Sequence, residues 1–446
     1  MRRARYVVLG FVLVLVAVAL GGYFYERPLL QTGTGYAAHN ACALKAIAGR
    51  NDAKDDLPPN PLVPVLRTKT QSTRSGGTSA QASILGVLAK QRAWATPGYG
   101  CTLADHRPKL DPPTKVTSTA NPYTSATPPV MTTGVKDALA TAFGDDLSAT
   151  ARKDLGTRGI VVLKDGKLVA ERYANGFGPT TPQLGWSMTK SVTDLIVGRL
   201  IAEGKLSLDS DHLRPEWKDG RAKITVRELL QMTSGLTWDE DYSLGTPITK
   251  MLYLKGDMGS YVASQPLAHK PGTVLQYSSG SPTLLCSVIA KTDGGADFPR
   301  SELFAPLGLS SAVLEPDAVG TPVCGSYMWA TPRDWAAVGE FALADGVWGS
   351  QRLLPAGWMK QSTTAVKVAK SDSKGYATGW WANLEADGSL VYQHLPADTY
   401  FAEGHDGQWL IIVPSHQLVI ARLGFTPTAK HDRAISLAED LIAALG

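Results

Sequence analysis

The segment SVTDLIVGRLIA, residues 191–202, is apolar on almost every side of a helical projection. A helix without a polar face is one that the rest of the chain encloses. The fold must therefore contain a core large enough to surround it. The composition permits one, with 446 residues of which 44% are hydrophobic. That length also exceeds one ordinary domain and predicts further units or extensions. The helix begins near Ser187 and stops at Gly204, and it is led in by Ser187-Met188-Thr189-Lys190. Residues at i and i+3 share a helix face, so Ser187 and Lys190 are neighbours and the helix carries Lys190 into a desolvated place.

That pairing has a chemical meaning. A serine hydroxyl is a weak nucleophile until a base takes its proton. A lysine is such a base only when burial or nearby positive charge lowers its pKa. A serine at a helix start also gains from the positive end of the helix dipole. S-x-x-K alone is a weak signal. A second copy, Ser371-Asp372-Ser373-Lys374, lies in polar, glycine-bounded AKSDSKGYATG with no apolar helix behind it. It is the internal control.

The run from Tyr6 to Phe24 is uncharged and apolar, and Arg2, Arg3 and Arg5 precede it. Its length suits a bilayer span, and the arginines place that end in the cytoplasm. An anchor is expected rather than a cleaved signal, since the run is long for a signal and ALGG is a poor cleavage site; if cut, the protein is secreted. Both readings put the rest of the chain outside the cytoplasm (in the periplasm of a Gram-negative cell), where disulfides persist. The four cysteines are Cys42, Cys101, Cys286 and Cys324, without CxxC or paired Cys/His spacing, so structural zinc is not expected. A net charge of +4 and the lack of any run of five basic residues give no reason to expect nucleic acid as a partner.

The organisation read from this is an anchor or signal at 1–25, a small module at 26–106, a Pro-rich linker or wrapping arm at 107–130 and a main domain at 131–446. The module reads as irregular, with a Gly/Ser-rich patch at 70–83 and an apolar SILGVLA. Cys42 and Cys101 bracket it, and a bond between them is expected to staple a unit without an obvious large core. In the main domain GVKDALATAFGDD has helical spacing. Asp165-Gly166 between two β-prone runs predicts a hairpin. Thr225 and Glu228 form a capping box for a helix expected to end near Gly235. QWLIIVP and QLVIARLG read as strands, followed by a helix from about His431 to Leu445. Strands at both ends with helices between them predict an α+β fold in which the terminal segments share one antiparallel sheet.

Two further segments carry chemistry. Tyr277-Ser278-Ser279-Gly280 precedes an apolar run, so Tyr277 at a tight turn can present its hydroxyl to a cleft and relay a proton. Gly404-His405-Asp406-Gly407-Gln408 enters the strand WLIIV, and its glycines allow a backbone N–H to approach a substrate oxygen. Read alone, the first is a turn tyrosine packing its ring and the second a loop or half a metal site.

In this order, SMTK, YSSG and GHDG resemble the three active-site elements of the serine β-lactamase and penicillin-binding-protein superfamily. The likeness is nearest to its 6-aminohexanoate-dimer hydrolase-like and class C β-lactamase-like members, and LLQMTSGLTWDEDY, RLLPAGWM and EGHDGQWLIIVP support it. It covers Met131 to Gly446, and the module more weakly. It implies a β-lactamase/transpeptidase-like fold, an antiparallel sheet flanked by helices plus a helical region. Ser187 is implied as the acylated nucleophile, Lys190 as general base and Tyr277 as the relay to the leaving group. Gln408 stands where the family has its second oxyanion amide, beside that of Ser187, with His405 and Gly407 in the same element. Tyr242 matches a substrate-contacting tyrosine, and Trp186 is expected along the cleft. No cofactor or metal is implied, and the substrate is a small ester or amide.

The sequence departs from the pattern at Ser279, where β-lactamases carry Asn, and at His405, where they and the transpeptidases carry a Lys that recognises a carboxylate. The loss of that Lys counts against a β-lactamase or D-Ala peptidase and not against ester or amide hydrolysis. A catalytically dead, tethered binding module is the reading of a different class; the intact Ser187/Lys190/Tyr277 set opposes it. Whether Cys286 and Cys324 pair is open at this level.

Overall fold

Asp165 and Gly166 both take positive φ, 50° and 69°, the backbone that a two-residue hairpin with native twist requires. In the computed structural model, which describes residues 2–72, 78–128, 130–427 and 432–446, they join strand β5 (Thr157–Lys164) to β6 (Lys167–Tyr173). β7 (Trp381–Ala382), β8 (Tyr400–Gly404), β9 (Gln408–Val413) and β10 (Leu418–Gly424) complete a six-stranded antiparallel sheet in the order β7-β8-β9-β10-β5-β6. The two ends of the main domain thus share one sheet, as expected.

Both faces of that sheet are covered, which explains why QWLIIV and LVIARLG show no polar alternation. Ile160, Val162, Ile411 and Ile420 pack on one side against α2 (Thr133–Ala142) and the C-terminal helix Ala434–Leu445. Val161, Leu410, Ile412 and Val419 pack on the other side within the larger core, which holds α3 (Met188–Ala202) and Trp335 of α5 (Pro332–Leu343). α3 is enclosed: Val192, Leu195, Ile196 and Val197 are all fully buried. The expected helix start at His431 lies outside the described residues.

The capping box forms, with Thr225 accepting from Glu228 N and Glu228 reaching back to Thr225 N. Its helix is shorter than expected, Val226–Leu230. Met232 already has φ +58°, and Gly235 serves instead to pass close against the His269 backbone.

The segment read as irregular is regular. One helix, α1, runs from Arg2 to Ala46. Its second half packs on a four-stranded antiparallel meander of β1 (Leu66–Ser72), β2 (Thr78–Ile84), β3 (Leu88–Thr96) and β4 (Gly100–Leu103). The contact is built from small residues, Ala37, Ala38 and Ala41 against Ala80, Ala82, Ala93 and Ala95. Alanine is a poor strand former, so the pattern is faint in sequence. Part of the Gly/Ser-rich patch, residues 73–77, lies outside the described residues. Cys42 on α1 is bonded to Cys101 on β4, and Cys286 to Cys324. The first half of α1 is exposed all round, Val7 at 72%, Leu13 at 60% and Phe24 at 61%. The Pro-rich arm wraps the main domain: Asn121 Nδ2 donates to Asp334 at 2.7 Å and buried Tyr123 donates to Gly166 O at 3.0 Å.

Candidate active site

Ser187 is the N-cap of α3, and its hydroxyl is half-buried at the floor of a cleft of about 770 Å³. The residue before it, Trp186, is held at φ +47°, a backbone region costly for a bulky side chain. Such strain at a reactive turn is maintained only by tight surroundings. A Cβ on Gly185 would collide with Trp335, so only glycine fits there.

Lys190, one turn on, is 1% exposed. Its Nζ donates to Ser187 Oγ at 2.8 Å, Ser279 Oγ at 2.8 Å and Gly325 O at 2.7 Å. Three acceptors match the three N–H donors of an ammonium. Burial nevertheless pulls the Lys190 pKa down to about 8, against the opposing pull of the Glu240 carboxylate. The Tyr277 ring lies 4.8 Å from Nζ. Burial, then Tyr376 and Glu240, push the Tyr277 hydroxyl well above its ordinary value, with Ser187 the neighbour that eases it. It is therefore a neutral O–H, able to donate.

Glu240 escaped the sequence reading. Its carboxylate accepts from Ser279 Oγ, from Ser279 N at 2.8 Å and from Trp238 Nε1 at 2.6 Å. Ser279 thus accepts from Lys190 and donates to Glu240. No spacing in WDEDY marks Glu240 among its acidic neighbours; only the fold brings the loop onto the YSSG turn. Glu240→Gln removes the charge that favours the Lys190 ammonium. The acidic limb of the pH–rate profile should then move to lower pH, and an unmoved limb in a folded variant would reject the coupling.

The loop that carries Gly325 is tied to the YSSG helix α4 (Gly280–Ile289) by the Cys286–Cys324 bond. Cys324 O also accepts from Thr193 Oγ1 of α3 at 3.0 Å. Gly325 lies so close to the Ser279 backbone that a Cβ would collide with Ser279 O.

The third element closes the cleft. A Cβ on Gly404 would collide with Gly185 O, so the β8–β9 turn passes directly beside the backbone that leads into Ser187. Gly404, His405, Asp406 and Gly407 line the cleft, Gly407 at φ +82°. Gln408 is buried behind them, with its side chain clamping the turn: Nε2 donates to Asp406 O at 3.0 Å and Gly424 O at 2.8 Å. Any part Gln408 takes in catalysis is through its backbone. Tyr242 lines the cleft and stacks on His405, centroids 4.4 Å apart. Trp186, expected along the cleft, is instead only 5% exposed and underlies this pair, with ring centroids 6.0 Å from Tyr242 and 5.8 Å from His405. It also stacks on Tyr36 of α1 at 6.2 Å. The control copy behaves as one: Ser371 is exposed on a two-residue strand, and its hydroxyl bonds Ser373 O.

Among known proteins the chain is 24% identical over 345 residues to the 6-aminohexanoate-dimer hydrolase of Paenarthrobacter ureafaciens, covering 71% of this chain and 83% of that one. It is 23% identical over 282 residues to Protein flp of Staphylococcus aureus, covering 54% of this chain. The match spans only 55% of the length of that relative. The fold resembles the solved structure of a putative 6-aminohexanoate-dimer hydrolase from Bacillus anthracis, with a TM-score of 0.56 at 20% identity, covering 76% of this chain and 87% of that one. The Beta-lactamase family model matches residues 145–443, about two thirds of the chain and all three motif elements, and on that match the chain belongs to the Beta-lactamase family.

Proposed function

We propose that the chain is a membrane-anchored serine hydrolase, its catalytic domain outside the cytoplasm, that cleaves ester or amide bonds through an acyl-enzyme on Ser187. The observation that carries this is the Lys190 ammonium, buried among Ser187, Ser279 and Gly325 with its pKa lowered to about 8. A lysine so placed releases its proton near neutral pH and then accepts the Ser187 proton as Oγ adds to the substrate carbonyl. The developing oxyanion is received by the backbone N–H groups of Ser187 and Gln408. Tyr277 passes a proton to the departing alcohol or amine and takes one back from Lys190, which leaves Lys190 again a free base. Water, activated by the same base, then releases the acid and restores Ser187.

The cleft charge bears on the substrate. Seven carboxylates line it, Asp239, Asp241 and Asp372 among them, while burial pushes Glu403 up to about 7 and Asp406 above its ordinary value; no lysine or arginine lines it among the described residues. A carboxylate-bearing β-lactam or D-Ala terminus meets repulsion there, which supports an uncharged or cationic ester or amide over a wall-directed substrate. The anchor is supported by α1, whose apolar first half continues without a break into the folded domain.

The test is peptide mapping by mass spectrometry after reaction with a fluorophosphonate. An adduct on Ser187 is expected; an adduct on Ser371 instead, or none, would reject the proposal. Tyr242→Phe checks the cleft wall. Tyr242 lines the cleft, and the family resemblance gives the matching tyrosine a hydrogen bond to the substrate amide. Loss of one such bond should cost amide turnover about tenfold and activated-ester turnover much less. Equal losses would reject a role in amide recognition.

A further inference from the structure

Behind the Tyr242–His405 pair lies a second cavity, of about 580 Å³, that shares Asp241, Tyr242 and His405 with the catalytic cleft. One wall is the face of α1 formed by Leu29, Thr32, Gly33 and Tyr36. Their i, i+3, i+4, i+7 spacing makes one continuous helix stripe. Its upper end, Tyr36, stacks on Trp186, the residue before Ser187. The opposite side is the loop of Ser243 and Leu244. Seven carboxylates line the cleft, and of these only Asp241 reaches the chamber.

The lower end can be placed against a bilayer. The exposed apolar run of α1 ends at Phe24, and Leu29 stands five residues beyond, or about 7.5 Å along the axis. A second feature marks the same level. The β2–β3 hairpin tip exposes Leu85 at 60% and Val87 at 66%, and Ala89 N next to it donates to the Tyr23 hydroxyl at 3.0 Å. Exposed apolar side chains beside the end of a membrane-length stretch fit a lipid surface at that height. The Leu29 end of the chamber therefore lies at headgroup level, and at its other end the Tyr242–His405 pair stands between it and the catalytic cleft.

Resting on the hydrolase and anchor readings above, we infer that this chamber takes the apolar chain of an amphiphilic ester or amide drawn from the bilayer, and holds it while Ser187 attacks the head end.

The test uses the full chain in phospholipid nanodiscs and reads the ratio of kcat/KM for 4-nitrophenyl octanoate to that for 4-nitrophenyl acetate. Burial is worth roughly fourfold per methylene; octanoate has six more than acetate, so burying about four or five of them should raise the ratio on the order of 10² to 10³. Ser243→Trp, which fills the chamber from the loop side, should cut the ratio at least about tenfold. Leu29→Trp, at a half-exposed position at the mouth, should do the same and serves if the first variant misfolds. A flat ratio with acetate still cleaved at Ser187 would overturn the chamber and leave the hydrolase standing. A high ratio that neither variant lowers would assign it to partitioning into the lipid, and also overturn the chamber. A fluorogenic oleoyl ester loaded into the same nanodisc should be cleaved faster than one loaded into separate discs; equal rates would overturn supply from the bilayer. No turnover of any ester and no Ser187 adduct would remove the hydrolase reading, and the chamber's assigned occupant with it.

Discussion

Ser187→Ala should reduce ester and amide turnover to the uncatalysed background. Acyl transfer needs an atom to which the acyl group is attached, and alanine supplies none. Among the described hydroxyls, Ser279 Oγ also touches Lys190, but it is fully buried and hydrogen-bonded to Glu240. It has no access to the cleft. Ser371→Ala should leave turnover unchanged, since that residue is exposed and its hydroxyl bonds only within its own turn. Retained activity in Ser187→Ala, measured with Ser371→Ala alongside, would falsify the mechanism and leave only the family assignment.

Lys190→Ala should lower the rate by about 10² to 10⁴, the range for a positioned base. Lys190→Arg separates the base from a merely structural cation. A guanidinium keeps the charge but does not release its proton at these pH values, so the rate should fall nearly as far. An arginine variant of near-normal activity, folded by its melting curve, would rule out a base at this position. The pH profile of the unaltered enzyme gives an independent sign. Lys190 is protonated and inactive as a base below its pKa, so turnover should rise through about pH 8 and level off above it. A rate that fell across that range would contradict the assignment.

What the sequence shows and what it hides follow from the same physics. The SMTK helix is legible because enclosure leaves apolar residues on almost every side of it, and the Asp165-Gly166 hairpin because both of its residues need positive φ. The YSSG and GHDG turns are legible as glycine-bearing entries to buried elements. Glu240 and Gly325 are not: one is an acidic residue among acidic residues, the other a backbone carbonyl, and each gains meaning only from a contact made far along the chain. The N-terminal sheet is hidden because its interface with α1 is made of alanines. The part α1 takes in the site is hidden for a related reason. A helix that leads with a membrane-length apolar run reads as a tether, and nothing in its second half announces that Tyr36 reaches Trp186.

The Cys286–Cys324 bond has a bearing on how Lys190 is held. One cysteine lies on the helix that follows Ser279, and the other immediately precedes the Gly325 carbonyl, so the crosslink fastens together two of the three acceptors that hold Lys190. Under reducing conditions the two thiols stay apart, and that fastening does not exist. The seat of Lys190 is thus made redox-sensitive: with the bond formed, the Ser279 turn and the Gly325 carbonyl are held as one covalent unit, and with it reduced, packing alone keeps them together.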